Sequence, residues 1–331
     1  MKLRMPDYYK KFSCIADKCR DSCCIGWEIE IDNDTANKYQ KAVGSFGEKL
    51  RNNISGGCFV LDSEERCPFL NPQGLCDIII EMGEENLCQI CQHHPRYFEW
   101  FKGIKEGGIG LSCEEAARII LTNNSRFGYY ETETDEESCD EYDEELFDLL
   151  FKARNIILNF LQNKKVSVRQ RLLQAVGYAE RLQKNLNMGK YLLPEEEHIQ
   201  VCREIDFRSV LEFMQEFEPM EESRPEYLSR QIEKLNETAA MDNIPETELY
   251  LENIAVYFIW RYFMKGVFDG EILSKVRLAA VSTEVIGNMF RLKFLETGTL
   301  SEDDCVILAK TYSKEIEYSE ENISDLIYYL E

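Results

Sequence analysis

The segment CIADKCRDSCCIGW, residues 14–27, places Cys14, Cys19, Cys23 and Cys24 within eleven positions and constrains how the first third of the chain must fold. Four thiols so close in sequence can converge on one centre only if the backbone wraps around it, which the short spacings and Gly26 permit. A zinc site asks for two separated pairs, commonly with about two to four residues inside each pair, and the adjacent Cys23-Cys24 fits that geometry less well. An adjacent pair more readily sends its two thiolates to different metal ions or different irons.

The same chemistry recurs downstream. Ten of the thirteen cysteines lie between Cys14 and Cys113, while Cys139, Cys202 and Cys305 are scattered over the remainder. Residues 67–76, CPFLNPQGLC, flank a proline- and glycine-containing turn that would bring two sulfurs to one side. Cys88-x2-Cys91 has ligand spacing and is followed by His93 and His94; histidines beside a proline turn are more often hydrogen-bonded structural residues than ligands. The opening residues lack the apolar core of a signal peptide, which predicts a cytoplasmic protein, and a reducing cytosol keeps thiols free of disulfides. The cysteines therefore point to a metal centre, an iron–sulfur cluster of the four-iron type, with zinc as the alternative.

Around the cysteines the first 120 or so residues are rich in breakers, with Gly56-Gly57, Pro72, Gly74, Pro95 and Gly107-Gly108 punctuating short apolar pieces. Residues 27–32, WEIEID, alternate apolar and acidic side chains and predict one short strand, whereas 36–50 and 114–121 predict helices. The stretch Gly107-Gly108-Ile109-Gly110 has no convincing strand before it and predicts a loop, so a conventional Rossmann nucleotide platform is not expected. Ten of the fifteen residues 131–145 are Asp or Glu, the density of a solvated linker, with attraction of a lysine-rich target as the functional alternative.

Beyond that run the pattern turns helical. Leu146, Leu150, Ala153, Ile157 and Phe160 recur at the spacing of a buried stripe, and Leu172, Val176, Ala179 and Leu182 repeat it one helix later. Further helices are predicted at 210–216, 225–239, 247–265, 271–295 and 303–316. The expected fold is mainly α: a loop-rich, cysteine-ligated metal-binding domain with one or few short strands over 1–125, then an all-α helical domain over 126–331.

The chain has 331 residues, 44% of them apolar, and a formal charge of −23. That charge repels phosphate backbones and anionic lipid, which argues against nucleic acid and membrane surfaces and favours a cationic partner or a lysine-bearing substrate. The most apolar stretch, 254–264, is too short to span a bilayer and carries Arg261.

Taken in order, Cys-x4-Cys-x3-Cys-Cys-x-Gly-Trp, Cys-Pro-Phe-Leu with Gly-Leu-Cys, Cys-x3-Pro-Arg, and Ser-Cys-x-Glu-Ala-Ala-Arg resemble the flagellin lysine-N-methylase (FliB) family, within the wider CxxCxxCC group of iron- or zinc-chelating proteins. The resemblance covers residues 14–118, with general similarity in length and in the helical remainder. It implies Cys14, Cys19, Cys23, Cys24, Cys67, Cys76, Cys91 and Cys113 as metal ligands. Cys58 and Cys88 fall outside the pattern, and His94 stands where an aromatic is more usual. It further implies methylation of flagellin lysine side chains with S-adenosylmethionine as donor. The radical-enzyme spacing Cys-x3-Cys-x2-Cys is absent, because Gly26 stands three residues after Cys23, so a cluster that shapes the donor site is favoured over one that binds the donor. Arg96 and Arg118 could hold a carboxylate or neutralise thiolates, and no catalytic residue stands out. The alternative is a non-catalytic metal-binding or redox protein whose helices bind a partner.

Overall fold

A computed structural model describes residues 1–101, 103–136, 142–196, 199, 205–241 and 244–331. Six short strands precede most of the helices: β1 (Lys2–Pro6), β2 (Ile54–Ser55), β3 (Cys58–Phe59), β4 (Arg96–Phe101), β5 (Ile104–Ile109) and β6 (Tyr129–Glu133). Interleaved with them are α1 (Asn33–Lys41), α2 (Gly44–Asn52), α3 (Asp77–Met82), α4 (Gln89–His93) and α5 (Glu114–Leu121). The remainder is helical: α6 (Glu144–Leu161), α7 (Val168–Asn187), α8 (Phe207–Phe213), α9 (Arg224–Glu233), α10 (Leu235–Ala239), α11 (Glu248–Tyr262), α12 (Gly266–Asp269), α13 (Leu273–Thr297), α14 (Glu302–Glu317) and α15 (Glu320–Tyr329). The chain is mainly α, as expected, and no described helix is long and apolar enough to cross a membrane.

The helical part follows its sequence pattern. Asp143 caps α6 by accepting from the Leu146 amide at 2.9 Å, and Leu146, Leu150, Ala153 and Ile157 are buried on one face. Ser301 and Asp304 form a reciprocal capping box at the start of α14. Helices α11 and α13 are buried on nearly every face and pack along each other, so they form the centre of the molecule, with α7, α14 and α5 around them.

Several expectations fail locally. Residues 27–32 form no strand: the segment is extended, with a single bridge between Glu30 and Cys58, and Ile29 and Ile31 point into a core. The helix expected over 36–50 is broken into α1 and α2, because Gly44 has a φ of +79°, which no continuous helix accommodates. The helix expected over 225–239 breaks at Lys234 into α9 and α10.

The largest departure is at 107–110. Gly107, Gly108 and Ile109 lie inside β5, in a four-stranded sheet ordered β4, β5, β1, β6, where β1 runs parallel to β5 and antiparallel to β6. The sequence IKEGGI hides this strand because its polar residues are neutralised in place and its glycines are needed for close approach. A Cβ on Gly107 would meet the Tyr97 carbonyl and the Phe98 ring at 2.8 Å, and one on Gly108 would meet the Tyr97 hydroxyl at 2.5 Å. The acidic run is likewise not all linker: it begins in β6, where Glu131 pairs with Lys2 at 2.7 Å and Arg4 at 2.9 Å. Its centre, 137–141, and with it Cys139, lies outside the described residues, as does Cys202.

Two apolar cores result. The larger takes Tyr8, Phe101, Ile109, Leu111 and most of α5 together with the helices beyond 144. The smaller comprises only ten buried residues between Ile29 and Cys88, and two of those are Cys67 and Cys88. So small a core rarely holds a segment of this length without a crosslink or a metal.

The sheet is pinned to the helices by a buried charge cluster. Arg154 of α6, fully buried, donates to both Glu106 carboxylate oxygens at 2.6 and 2.7 Å, and Arg4 reaches the same carboxylate at 3.5 Å. Arg154→Met should destabilise the protein by about 3–5 kcal/mol by leaving Glu106 buried without its main partner, read as a lower denaturant midpoint at unchanged slope.

Candidate metal centre

The loop 14–24 is held against the helical part by charge. Glu114, at the first turn of α5 and almost fully buried, accepts from the Arg20 amide at 2.9 Å and from the Arg20 guanidinium at 2.9 Å. Asp21 pairs with Lys310 and, at 3.2 Å, with Lys314, both on α14. Cys113 caps α5 directly beside Glu114, so the anchoring of the loop brings Cys14, Cys19 and Cys23 toward it.

The electrostatics of the thiols show which cysteines are neighbours. Cys14 and Cys19 both raise the Cys113 thiol, and Cys14 and Cys113 both raise that of Cys23. These four form one group. Cys24, Cys76 and Cys88 act on Cys67, while Cys88, Cys24 and Cys67 act on Cys91. These five form a second group, lodged in the smaller core. Burial is the main reason that Cys19 and Cys113 are pushed up to about 11 and Cys67 to about 12; the charges of their neighbours add to it.

Cys23 and Cys24 are the seam between the groups. Their side chains are hydrogen-bonded to each other, which lowers Cys24 to about 7 and raises Cys23, with Arg66 also favouring the Cys24 thiolate. A similar bond between Cys88 and Cys91 lowers Cys88 and raises Cys91. Cys23 thus stands with the first group and Cys24 with the second, their thiols in mutual contact.

All eight cysteines singled out in the sequence fall in one group or the other. Cys88, outside the sequence pattern, joins the second group and is fully buried; its Cys-x2-Cys spacing with Cys91 was the available signal. Cys58 stands apart, donating to the Glu28 carboxylate at 2.8 Å. Among the described residues, no three or more His, Cys, Asp or Glu side chains stand close enough to hold a single metal ion.

Neither histidine joins the thiols. His93 lies edge-on to Phe98, while His94 packs between Trp27 and Tyr318 with ring centroids at 5.9 and 6.2 Å, a purely aromatic contact. Arg96 lies over the Phe12 ring at 5.2 Å, and Arg118 is engaged by Asp303 at 2.8 Å and Glu302 at 3.2 Å. Arg118 therefore fastens α5 to the start of α14.

Sequence reasoning missed a second polar assembly behind Cys113. Glu317 accepts from Tyr257 at 2.9 Å, Tyr262 at 2.7 Å, Arg261 at 3.0 Å and also from Ser313. The Tyr257 hydroxyl accepts from the Leu111 amide at 3.1 Å, and Tyr318 is hydrogen-bonded to Ser112. The Arg261 guanidinium lies over the rings of Tyr97, Tyr257 and Tyr262 at 4.4–5.9 Å. Burial works against its charge, but Glu317 and the tyrosines outweigh it and hold the pKa well above the ordinary value. The one available signal was a lone arginine inside the apolar stretch of α11.

Comparison with known proteins adds the second half. Residues 198–331 match the FliB lysine N-methylase C-terminal domain. The C-terminal part of the chain is thus similar to the FliB family. A lysine-N-methylase of Salmonella typhimurium is 29% identical over 128 residues, covering 36% of this chain and 32% of that protein, and a lysine-N-methylase of Salmonella choleraesuis is 30% identical over the same shares. The flagellar biosynthetic protein FliU of Salmonella muenchen is 28% identical over 36% of this chain and 76% of its own length. The alignment thus spans about a third of the length of the two methylases. No solved structure matches the chain.

Burial, and then the nearby Arg96, push His94 down to about 4, whereas a histidine in an unfolded chain titrates near about 6.5. The folded state resists this proton, so the associated stability is complete above pH 6.5 and is lost as the pH falls from there to about 4. His94→Phe should remove about 2–3 kcal/mol of that acid sensitivity, seen as a shallower decline of the denaturation midpoint between pH 6.5 and 4 than in the wild type.

Proposed function

We propose that the protein is a lysine N-methyltransferase that acts on flagellin with S-adenosylmethionine as donor, and that its cysteine-rich part holds metal, with a four-iron cluster on at least one thiol group. The match of residues 198–331 to a lysine N-methylase domain carries the activity. The name of the flagellar relative supports the substrate class, as does a surface whose charge of −23 attracts lysine-bearing protein.

The chemistry asked of the chain is modest. A neutral lysine amine attacks the methyl carbon of the sulfonium; the nitrogen–carbon bond forms as the carbon–sulfur bond breaks, S-adenosylhomocysteine leaves, and the resulting methylammonium gives up a proton to solvent or a base. Positioning of the two reactants supplies most of the rate. Glu317, with its oxygens held by Arg261 and two tyrosines, is a structural anchor and not a free base for this step.

Cys14, Cys19, Cys23 and Cys113 would hold one centre, and Cys24, Cys67, Cys76 and Cys91, with Cys88 beside them, the other. A bound cluster would supply a redox-active or Lewis-acidic iron and would crosslink a segment with little apolar core. The cations Lys310 and Arg66, adjacent to Cys19 and Cys24, would offset thiolate charge. One observation favours a second reading, a redox protein with a partner-binding helical domain: the Cys23-Cys24 seam sets two thiol groups side by side, as electron transfer between centres requires.

Purified protein incubated with flagellin and methyl-labelled S-adenosylmethionine should place label on lysine side chains; absence of label there removes this substrate assignment. Anaerobic preparations should contain iron and acid-labile sulfide, and zinc without sulfide would replace the cluster while leaving the methylase reading intact. Cys88→Ser should lower the metal content per chain, whereas Cys58→Ser should leave it at the wild-type value.

A further inference from the structure

A cavity of about 590 Å³ opens among α7, α8, α10, α11 and α13, away from both thiol groups in sequence and lined by no described cysteine. Its volume lies within the roughly 300–1,000 Å³ that encloses a small organic ligand. One wall is apolar: Leu172 and Val176 of α7, Leu251 of α11 and Val281 of α13 are buried side chains that line it. Such a wall suits the face of a nucleoside base.

The charged lining narrows the class of ligand. Arg169, Arg208 and Arg291 are matched by Asp206, Glu248 and Glu284, so the cavity carries both signs in equal number. A nucleoside di- or triphosphate would need a surplus of cations, whereas a zwitterion finds a partner for each of its charges. Arg291 is the most telling member. Its contact with Glu284 is loose, at 3.5 Å, and its Nε is a buried donor with no hydrogen-bond partner. A buried donor of that kind costs stability unless an acceptor meets it, and a carboxylate is the acceptor that a guanidinium fork matches best.

The wall behind it is rigid. The Asn288 side chain accepts from Thr238 at 2.6 Å and donates to Gln231 at 3.1 Å, all three residues being fully buried. This bonding fixes α13 against α9 and α10 and so holds that wall of the cavity in place.

We infer that this cavity is the site for S-adenosylmethionine, with the adenosine on the apolar wall, the amino and sulfonium groups among the carboxylates, and the carboxylate on Arg291. The assignment rests on the lysine methyltransferase reading above for the identity of the zwitterion, while the cavity and its charge pattern stand independently of it.

The test is calorimetric binding of S-adenosylhomocysteine to the full chain, isolated anaerobically with its metal, alongside lysine labelling by the same preparations. Ala239→Trp and Asn236→Trp, at exposed lining positions on α10, and Arg291→Met should each weaken binding at least tenfold, with unchanged metal content and melting temperature. Val43→Ser, at a surface position 90% exposed and remote in sequence, should bind as the wild type does. Wild-type affinity in the folded cavity variants, or no binding by the wild type itself, overturns the assignment. Labelled lysine together with unaltered binding in the variants would sink the cavity and spare the methyltransferase. Cavity-dependent binding without any lysine labelling would do the reverse.

Discussion

Glu317 is the carboxylate on which the two halves of the molecule meet. It sits at the last residue of α14 and gathers Tyr257, Arg261 and Tyr262 from α11, and Tyr257 in turn receives the backbone amide of Leu111, two residues before Cys113. Through that chain of bonds the two helices set the position of the loop that delivers a thiol to the first cysteine group. A charge so deep is tolerable only because an arginine, two tyrosine hydroxyls and a serine satisfy it together. Removal of one partner would leave the others buried with unmet bonding needs, which makes the assembly cooperative.

The cysteine-rich part depends on the helices for more than this contact. Its own core is small and partly made of thiols, and its loop 14–24 is tied down by Glu114 of α5 and by Lys310 and Lys314 of α14. The cation-bearing face of α14 therefore serves both the fold and the thiols, placing positive charge where thiolates would gather. A metal bound there would complete a core that apolar side chains leave thin, so metal binding and folding of this part should be coupled.

The functional reading joins two regions with different jobs. The thiol groups lie in the first third of the chain, and the helical remainder, whose residues 198–331 match the lysine N-methylase domain, contains a cavity of about 590 Å³ with an apolar wall and charges of both signs. In this arrangement the thiols need not touch the donor. On the proposed function the acidic surface would bring in a lysine-bearing protein, and the catalytic demand would reduce to alignment of an amine behind a sulfonium.

Much of this was legible in the residues alone. The stripes Leu146 to Ile157 and Leu172 to Leu182 became α6 and α7 because a helix longer than about three turns declares itself by periodic burial, and α5 fell on its expected residues. The adjacency of Cys23 and Cys24 favoured different destinations for their two thiols. Strand β5 was illegible because Lys105 and Glu106 look solvent-facing until Glu136 and Arg154 are folded onto them, and its glycines look like a loop until the rings of Tyr97 and Phe98 are seen against them. Cys88 and Cys58 both lie outside the resembled pattern, and although Cys88 has ligand spacing with Cys91, its place among the thiols is seen only in space. Local periodicity and spacing are properties of neighbours along the chain and can be read there. The pairing of Glu317 with Arg261, the division of nine cysteines into two groups and the balanced charges of the cavity arise between residues tens to hundreds of positions apart, and only the packing of helices brings them together.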